Sequence, residues 1–111
     1  MIYITIDDFY KRANACARLS REEEISCAKK MKNGDAEARM RLIESYIPVI
    51  AGNIRRLTKN YQTITLALRS EQMLEKLVDS FDFLQESETF IHRLSWGMKQ
   101  VVTKYIAESR G

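Results

Sequence analysis

Two adjacent helix boundaries near the start of the chain constrain its fold more than any other feature. Ser20 and Glu23 form an S-x-x-E capping box, in which each side chain accepts a hydrogen bond from the other residue's backbone N–H. The helix that starts there is predicted to end at Asn33-Gly34, with Gly34 in the left-handed conformation. Asp35 then caps the next helix at once. These start and stop signals predict consecutive helices joined by turns of a few residues.

The spacing of apolar residues extends the helical pattern over most of the chain. Besides the helix from Ser20 to Asn33, it predicts helices from Thr5 to about Arg18, from Ala36 to about Leu57, from Ile64 to about Phe83, and from Phe90 to Glu108. Pro48 lies inside the third of these five helices, where we expect a bend near Tyr46. A break is not expected, because the apolar period continues in phase across the proline.

Composition agrees with an all-α fold. The chain of 111 residues has one Pro and four Gly, and its length suits a single core. We therefore expect one domain over residues 1–111, a compact bundle of about five helices. No apolar run is long enough for a membrane span, and the N-terminus does not resemble a signal peptide. These features favour a cytoplasmic protein.

Cys16, Cys27 and His92 do not have the spacing of a metal site. We expect both cysteines to be small buried residues of a reduced protein, with a disulfide between neighbouring helices as the open alternative. No metal and no other cofactor is predicted.

The polar face of the last helix carries the clearest functional signal. Its apolar stripe is predicted to be Phe90, Ile91, Leu94, Met98, Val101, Val102, Tyr105 and Ile106. The opposite face then contains His92, Arg93, Trp96, Lys99, Gln100, Thr103 and Lys104. Indole is a stacking platform, Lys and Arg neutralise phosphates, and Gln and Thr read base edges, so we predict DNA binding. The alternative is that Trp96 lies under a neighbouring loop or in a protein contact.

Charge is unevenly distributed along the second half of the chain. Residues 54–69 contain four basic side chains and no acid, and residues 89–111 contain four basic side chains and one acid. Residues 71–88, between them, contain six acids and one lysine. Two basic segments around an acidic one suit a protein with a polyanion on one side. An ordinary solvated surface of mixed acidic and basic residues, with no polyanion bound, would have a similar charge distribution.

Three motifs in order give the chain a family resemblance from Leu19 to Ala107. They are the L-S-x-E-E-E opening with the following helix through Pro48, the run MLEKLVDSFD, and the run FIHRLSWGMKQVVTKYIA. Together they resemble domain 2 of bacterial RNA polymerase sigma factors of the sigma-70 family, with residues 1–18 as an N-terminal helical extension. The resemblance implies an all-α domain that docks on polymerase and opens the −10 promoter element.

The resemblance also implies roles for individual residues of the last helix. Gln100 and Thr103 match positions that read the upstream edge of the −10 element, with Lys99 and Lys104 as basic neighbours. Trp96 matches the first of the family's paired tryptophans, which support the upstream edge of the melted region. These residues share the face already predicted to bind DNA.

Several positions depart from the family pattern. Gly97 replaces the second tryptophan, Arg93 replaces a tyrosine associated with melting, and the connection 85–88 is acidic. Thr65, Leu68 and Arg69 replace the Asp, Gln and Glu that grip the β′ coiled coil. The predicted polymerase-binding residues are Thr65, Leu68, Arg69, Gln72 and Met73.

The sequence thus predicts a transcription initiation protein that binds RNA polymerase core, through the β′ coiled coil, and promoter DNA. Because the resemblance stops short of domains 3 and 4, we expect a second chain with a sigma domain 4, or a larger parent protein, to supply −35 recognition. The alternative is a protein-interaction regulator with the same fold but no promoter melting, whose partners would include an anti-sigma factor. An enzyme is not expected, because there is no Gly-rich phosphate loop, no nucleophile–base arrangement, and only one histidine, His92.

Overall fold

The computed structural model describes residues 5–84 and 89–110. These residues form five helices: α1 (Ile6–Ala15), α2 (Arg21–Lys32), α3 (Ala36–Leu57), α4 (Ile64–Ser80) and α5 (Phe90–Arg110). The prediction of an all-α bundle is confirmed. The acidic connection 85–88, one of the departures from the family pattern, lies outside the described residues.

The predicted helix boundaries around α2 are confirmed in detail. Both hydrogen bonds of the Ser20–Glu23 capping box are present, at 3.0 and 3.1 Å. At the other end the Gly34 N–H donates to the Met31 carbonyl, and Gly34 has φ of +90°. This is a Schellman turn, in which only glycine is unstrained. Asp35 then accepts from the Ala38 N–H and starts α3.

Helix α3 is the centre of the bundle, because the other four helices all pack on it. Its buried residues recur through the whole length of the helix and include Leu42, Ile43, Ile47, Ile50 and Ile54. The helix continues through Pro48 without a break, as expected. A continuous central helix places α4 and α5 side by side on one flank of the molecule.

Two helices end earlier than predicted. The structure ends α1 at Ala15, because Cys16 adopts an extended conformation and leads the chain towards the cap of α2. It ends α4 at Ser80, because Phe81 leaves the helix so that its ring, with that of Phe83, reaches the first residue of α5. The apolar period predicts both phenylalanines in the helix, whereas the burial of Phe83 and the ring contact of Phe81 with Phe90 require an irregular segment.

Two side-chain predictions are also settled by the structure. Ile91, expected in the apolar stripe of α5, is 41% exposed, because it lies at the edge of a stripe centred on Phe90 and Leu94. Cys16 and Cys27 are both free thiols, so the disulfide alternative is wrong. Cys27 is buried as expected, whereas Cys16 is half-buried, and desolvation raises the pKa of its thiol.

Candidate nucleic-acid interface

The inner stripe of α5 determines what the helix presents to solvent. Phe90, Leu94, Met98 and Val102 recur every four residues and are all buried. Residues on the opposite side of the helix therefore point away from the core. All seven predicted DNA-binding residues are exposed: His92, Arg93, Trp96, Lys99, Gln100, Thr103 and Lys104.

Trp96 is 66% exposed, the largest exposed fraction among the large hydrophobic side chains of the described residues. A neighbouring loop within the described ranges does not bury it, so that interpretation of the tryptophan is wrong. A contact with another protein remains compatible with this exposure. An indole left in water two turns from the buried Phe90 has no role in the core.

A shallow depression along α5 brings five of the predicted residues together. It has a volume of about 500 Å³ and is lined by Trp96, Lys99, Gln100, Thr103, Lys104 and Ala107. Two lysines, a hydroxyl and an amide thus lie beside a stacking surface. His92 is not part of this depression and lies exposed in the first turn of α5.

A second depression is a groove between α4 and α5, with a volume of about 490 Å³. Its lining from α5 is Arg93, Trp96, Gly97 and Gln100. Its lining from α4 is Met73, Lys76, Leu77 and Ser80. Sequence reasoning did not include Lys76, Leu77 or Ser80 in any site. These residues follow Met73 at intervals of three and four positions, which places all four on one face of the helix.

Gly97 lies against Met73 in this groove. A Cβ atom at position 97 would lie 2.8 Å from Met73 Sδ and 3.2 Å from its Cε. The sequence showed Gly97 only as a substitution for tryptophan. The structure shows that its missing side chain leaves room for Met73 of α4.

The predicted polymerase-binding residues form most of an exposed ridge on α4. Thr65, Leu68, Arg69 and Gln72 are exposed, whereas Met73 is half-buried and lines the groove. Their spacing places them along one side of the helix. The structure therefore separates Met73 from the other four residues.

Arg69 on this ridge is held by α5. Its guanidinium pairs with Glu108 at 2.5 Å and lies 5.4 Å from the centre of the Tyr105 ring. The hydrogen bond from Arg69 lowers the pKa of the Glu108 carboxyl. The guanidinium of Arg69 is thus already engaged by two side chains of α5 before any other protein binds.

Both ends of α5 are fixed to the bundle. Near its end, the Tyr105 and Thr63 hydroxyls are 2.7 Å apart and joined by a hydrogen bond. At its start, the Phe90 ring lies 4.5 Å from that of Tyr46, centre to centre. The polar face between these contacts therefore belongs to a helix that packs on the bundle near both of its ends.

Within residues 5–84 and 89–110, no three His, Cys, Asp or Glu side chains are grouped so that they could hold a metal ion. Over the same ranges, none of the helices combines the length and apolar character needed to cross a membrane.

Comparison with known proteins gives a consistent set of relatives. The chain is 31% identical over 110 residues to RNA polymerase sigma factor SigA of Clostridium acetobutylicum, covering 95% of this chain and 29% of that protein. It is 30% identical over 91 residues to SigA of Listeria monocytogenes, covering 81% of the chain and 24% of the relative. For SigA of a Bacillus species the identity is 27% over 101 residues, covering 90% of the chain and 26% of the relative.

No family model matches the chain. The chain spans between 24% and 29% of the length of these three relatives. The similarity confirms the resemblance drawn from the three sequence motifs, and it extends over most of the chain.

Proposed function

We propose that this chain, a sigma-70-like region by its similarity to SigA factors, is a transcription initiation protein that binds RNA polymerase core and the −10 promoter element. The observation that carries the proposal is the outer face of α5. There an exposed tryptophan lies in one depression with two lysines, a glutamine and a threonine. The relatives carry the name RNA polymerase sigma factor, which supports a role in transcription.

The DNA side of the proposed mechanism is binding without chemistry or cofactor. Lys99 and Lys104 neutralise phosphates, and Gln100 and Thr103 contact base edges. Trp96 supplies a stacking surface beside them. Residues 1–111 act as one domain in the cytoplasm, where polymerase and promoter DNA are both accessible.

The polymerase side uses the exposed ridge of α4. Thr65, Leu68, Arg69 and Gln72 contact the β′ coiled coil, while the half-buried Met73 contributes from the groove. Because α4 and α5 pack directly on each other, polymerase docking would orient the DNA-binding face. Recognition of the −35 element is assigned to a sigma domain 4, carried by a partner chain or by a longer parent protein.

Titration of a duplex carrying a −10-like element across a salt series tests the DNA side. Binding should weaken steeply with salt, because bound phosphates release counterions. Replacing Lys99 and Lys104 by alanine should reduce the slope of log K against log salt by about one per lysine. Trp96→Ala with Gln100→Ala should weaken binding and reduce the preference for the −10-like sequence.

Lys11→Ala is the matched control, since Lys11 is exposed on α1, which packs on α3 and α4. It should leave both the slope and the sequence preference unchanged. Equal binding by the native protein and the Trp96/Gln100 variant would count against the DNA-binding face.

The second candidate function is a regulator that keeps the fold but does not melt promoters. Arg69 favours it, because its charge is opposite to that of the glutamate in the family pattern and its guanidinium is already paired with Glu108 of α5. Its partner would be another regulator, such as an anti-sigma factor. Purification from native cells distinguishes the two: stable association with core polymerase supports the first function, and association with a regulator alone supports the second.

A further inference from the structure

The last turn of α3 carries two arginines that the fold orients without neutralising their charge. The guanidinium of Arg55 lies 4.0 Å from the centre of the Tyr10 ring of α1. The guanidinium of Arg56 donates to Asn53 Oδ1 at 2.7 Å, and the Asn53 amide donates in turn to the Val49 carbonyl at 2.8 Å. An aromatic ring and an amide fix the direction of a guanidinium but leave its positive charge in place.

Five arginines elsewhere in the molecule are neutralised instead. Each of them pairs with a carboxylate: Arg12, Arg21, Arg39, Arg41 and Arg69. In the part of the chain that the structure describes, no ion pair involves Arg55, Arg56 or the neighbouring Lys59, and all three side chains are exposed. We call these three residues the basic tip. Their charge is available to an anion outside the chain.

Tyr10, which orients Arg55, is itself held in place. Its hydroxyl donates to Gln62 Oε1 at 2.8 Å. Burial raises the pKa of this hydroxyl, the charge of Arg55 opposes the rise, and the charge of Asp7 makes the smallest contribution, which adds to it. Asp7 makes no ion pair with Arg55 within the described ranges. Tyr10 precedes the stretch on which the family resemblance rests, so the resemblance does not imply its support of Arg55.

The basic tip lies at the same end of the bundle as the C-terminal part of α5. Lys59 belongs to the connection between α3 and α4, and this connection ends at Thr63, the cap of α4. The Thr63 hydroxyl is hydrogen-bonded to the Tyr105 hydroxyl of α5 at 2.7 Å. Lys104, the residue before Tyr105, belongs to the outer face. A polyanion bound along that face and continuing past the end of α5 therefore meets the basic tip next.

We propose that the basic tip binds phosphates of duplex DNA outside the −10 element. A guanidinium suits this role, because its planar fork of N–H donors matches phosphate oxygens and is always charged. Such contacts position a protein on the duplex and carry no sequence information. The inference rests on the proposed function, since the outer face of α5 has to place the duplex.

Two duplexes separate the basic tip from the outer face of α5. One is confined to a −10-like element, and the other carries the same element flanked by arbitrary sequence on both sides. Replacing Arg55 and Arg56 by alanine should reduce the slope of log K against log salt by about two on the long duplex. The slope on the short duplex and the preference for the −10-like sequence should stay at their native values.

Lys29→Ala with Lys30→Ala is the matched control. These residues are likewise adjacent, exposed and in the last turn of a helix, so the control removes the same charge and the same interaction with a helix C-terminus. It should keep the native slope on both duplexes. If the arginine variant loses helicity, Lys59→Ala decides, because Lys59 lies outside the helices and its loss should reduce the long-duplex slope by about one.

Tyr10 is tested as a positioning residue by two variants. Tyr10→Leu removes the ring that orients Arg55 and should weaken binding of the long duplex by up to about fivefold, the effect of one exposed cation–π contact. Tyr10→Phe keeps the ring and should retain the native affinity. Equal affinities of these two variants would overturn the role assigned to Tyr10.

An unchanged long-duplex slope in the arginine variant would overturn the inference, as would an equal loss in the lysine control. Loss of association with core polymerase at a native slope would also overturn it, because the basic tip would then be a protein contact. In each of these cases a native protein that still prefers the −10-like sequence leaves the proposed function intact. Absence of that preference and of salt-dependent binding in the native protein would instead overturn the proposed function and this inference with it.

Discussion

Two aromatic regions of α5, about two helical turns apart, have opposite surroundings. At the start of the helix, Phe90 packs on the rings of Tyr46, Phe81 and Phe83, with ring centres 4.5–5.2 Å away. We call these four residues the aromatic junction. On the outer face, Trp96 is 66% exposed although its indole is larger than a phenyl ring.

The polar groups at the two regions also differ in whether they have partners within the fold or are exposed to solvent. Glu24 is buried at the aromatic junction, where its carboxylate accepts a hydrogen bond from the Tyr46 hydroxyl and pairs with Arg21 at 3.0 Å. Arg21 also donates to the Phe83 carbonyl, and the Arg18 guanidinium lies 4.5 Å from the centre of the Tyr46 ring.

The polar atoms of the aromatic junction thus have partners within the fold, whereas the side chains of Lys99, Gln100 and Lys104 on the outer face are exposed to solvent. One region therefore stabilises the bundle, and the other is available to a ligand.

Substitutions in the aromatic junction should lower the stability of the fold most. Phe90→Ala should lower the free energy of unfolding by about 3–5 kcal/mol, because it leaves a cavity among three rings. Trp96→Ala should change the same free energy by no more than about 0.5 kcal/mol, since the side chain is largely solvated. Urea unfolding followed by circular dichroism measures both values. Similar losses for the two variants would contradict the division of α5 into a packed start and a free outer face.

Tyr46→Phe tests the polar part of the aromatic junction. It keeps the ring in place but removes the hydroxyl that donates to the buried Glu24 carboxylate. An unsatisfied buried group costs about 1–3 kcal/mol, so the loss should be smaller than that of Phe90→Ala. Tyr105→Phe, which removes a hydroxyl bonded to Thr63 at a half-buried site, is the matched comparison and should cost less.

The native protein should also differ from Tyr46→Phe in its response to alkaline pH. Burial, followed by the hydrogen bond to Glu24, raises the pKa of Tyr46 above the usual value of 10.0. The folded state therefore holds this proton more tightly than the unfolded state does. Its stabilising effect is complete below about pH 10 and is lost as the pH rises further. The free energy of unfolding, measured at several pH values, should fall more steeply above pH 10 for the native protein than for Tyr46→Phe. If this free energy depends on pH in the same way for both proteins, the pKa of Tyr46 is not raised in the fold.

What the sequence could predict of this fold depends on the range of the interactions. The capping box at Ser20, the turn at Gly34 and the start of α3 at Asp35 are formed by residues a few positions apart, so local patterns located them correctly. The ends of α1 and α4 were misplaced, because the extended path after Cys16 and the inward turn of Phe83 depend on contacts with distant helices.

The same distinction applies to the candidate interface. The exposed face of α5 follows from helical periodicity alone, and all seven predicted residues are exposed. The groove did not follow from it, because Lys76 and Ser80 come from α4 and join the site only through helix packing. Arg69 likewise shows no sign in the sequence of its pairing with Glu108, 39 positions away.

Gly97 lies between the packed and exposed sides of α5, and its replacement by alanine should have a small, stabilising effect. Alanine favours an exposed helix by about 1 kcal/mol relative to glycine. Opposing this gain, the new methyl group would meet Met73 Sδ at 2.8 Å, although a flexible methionine side chain can turn away at a modest cost. Gly97→Ala should therefore stabilise the native chain by about half of the full propensity gain, or about 0.5 kcal/mol. In a Met73→Ala background, where that contact is absent, the same substitution should recover the full gain of about 1 kcal/mol. A double-mutant cycle of unfolding free energies measures this difference, and strict additivity would show that Met73 does not restrict position 97.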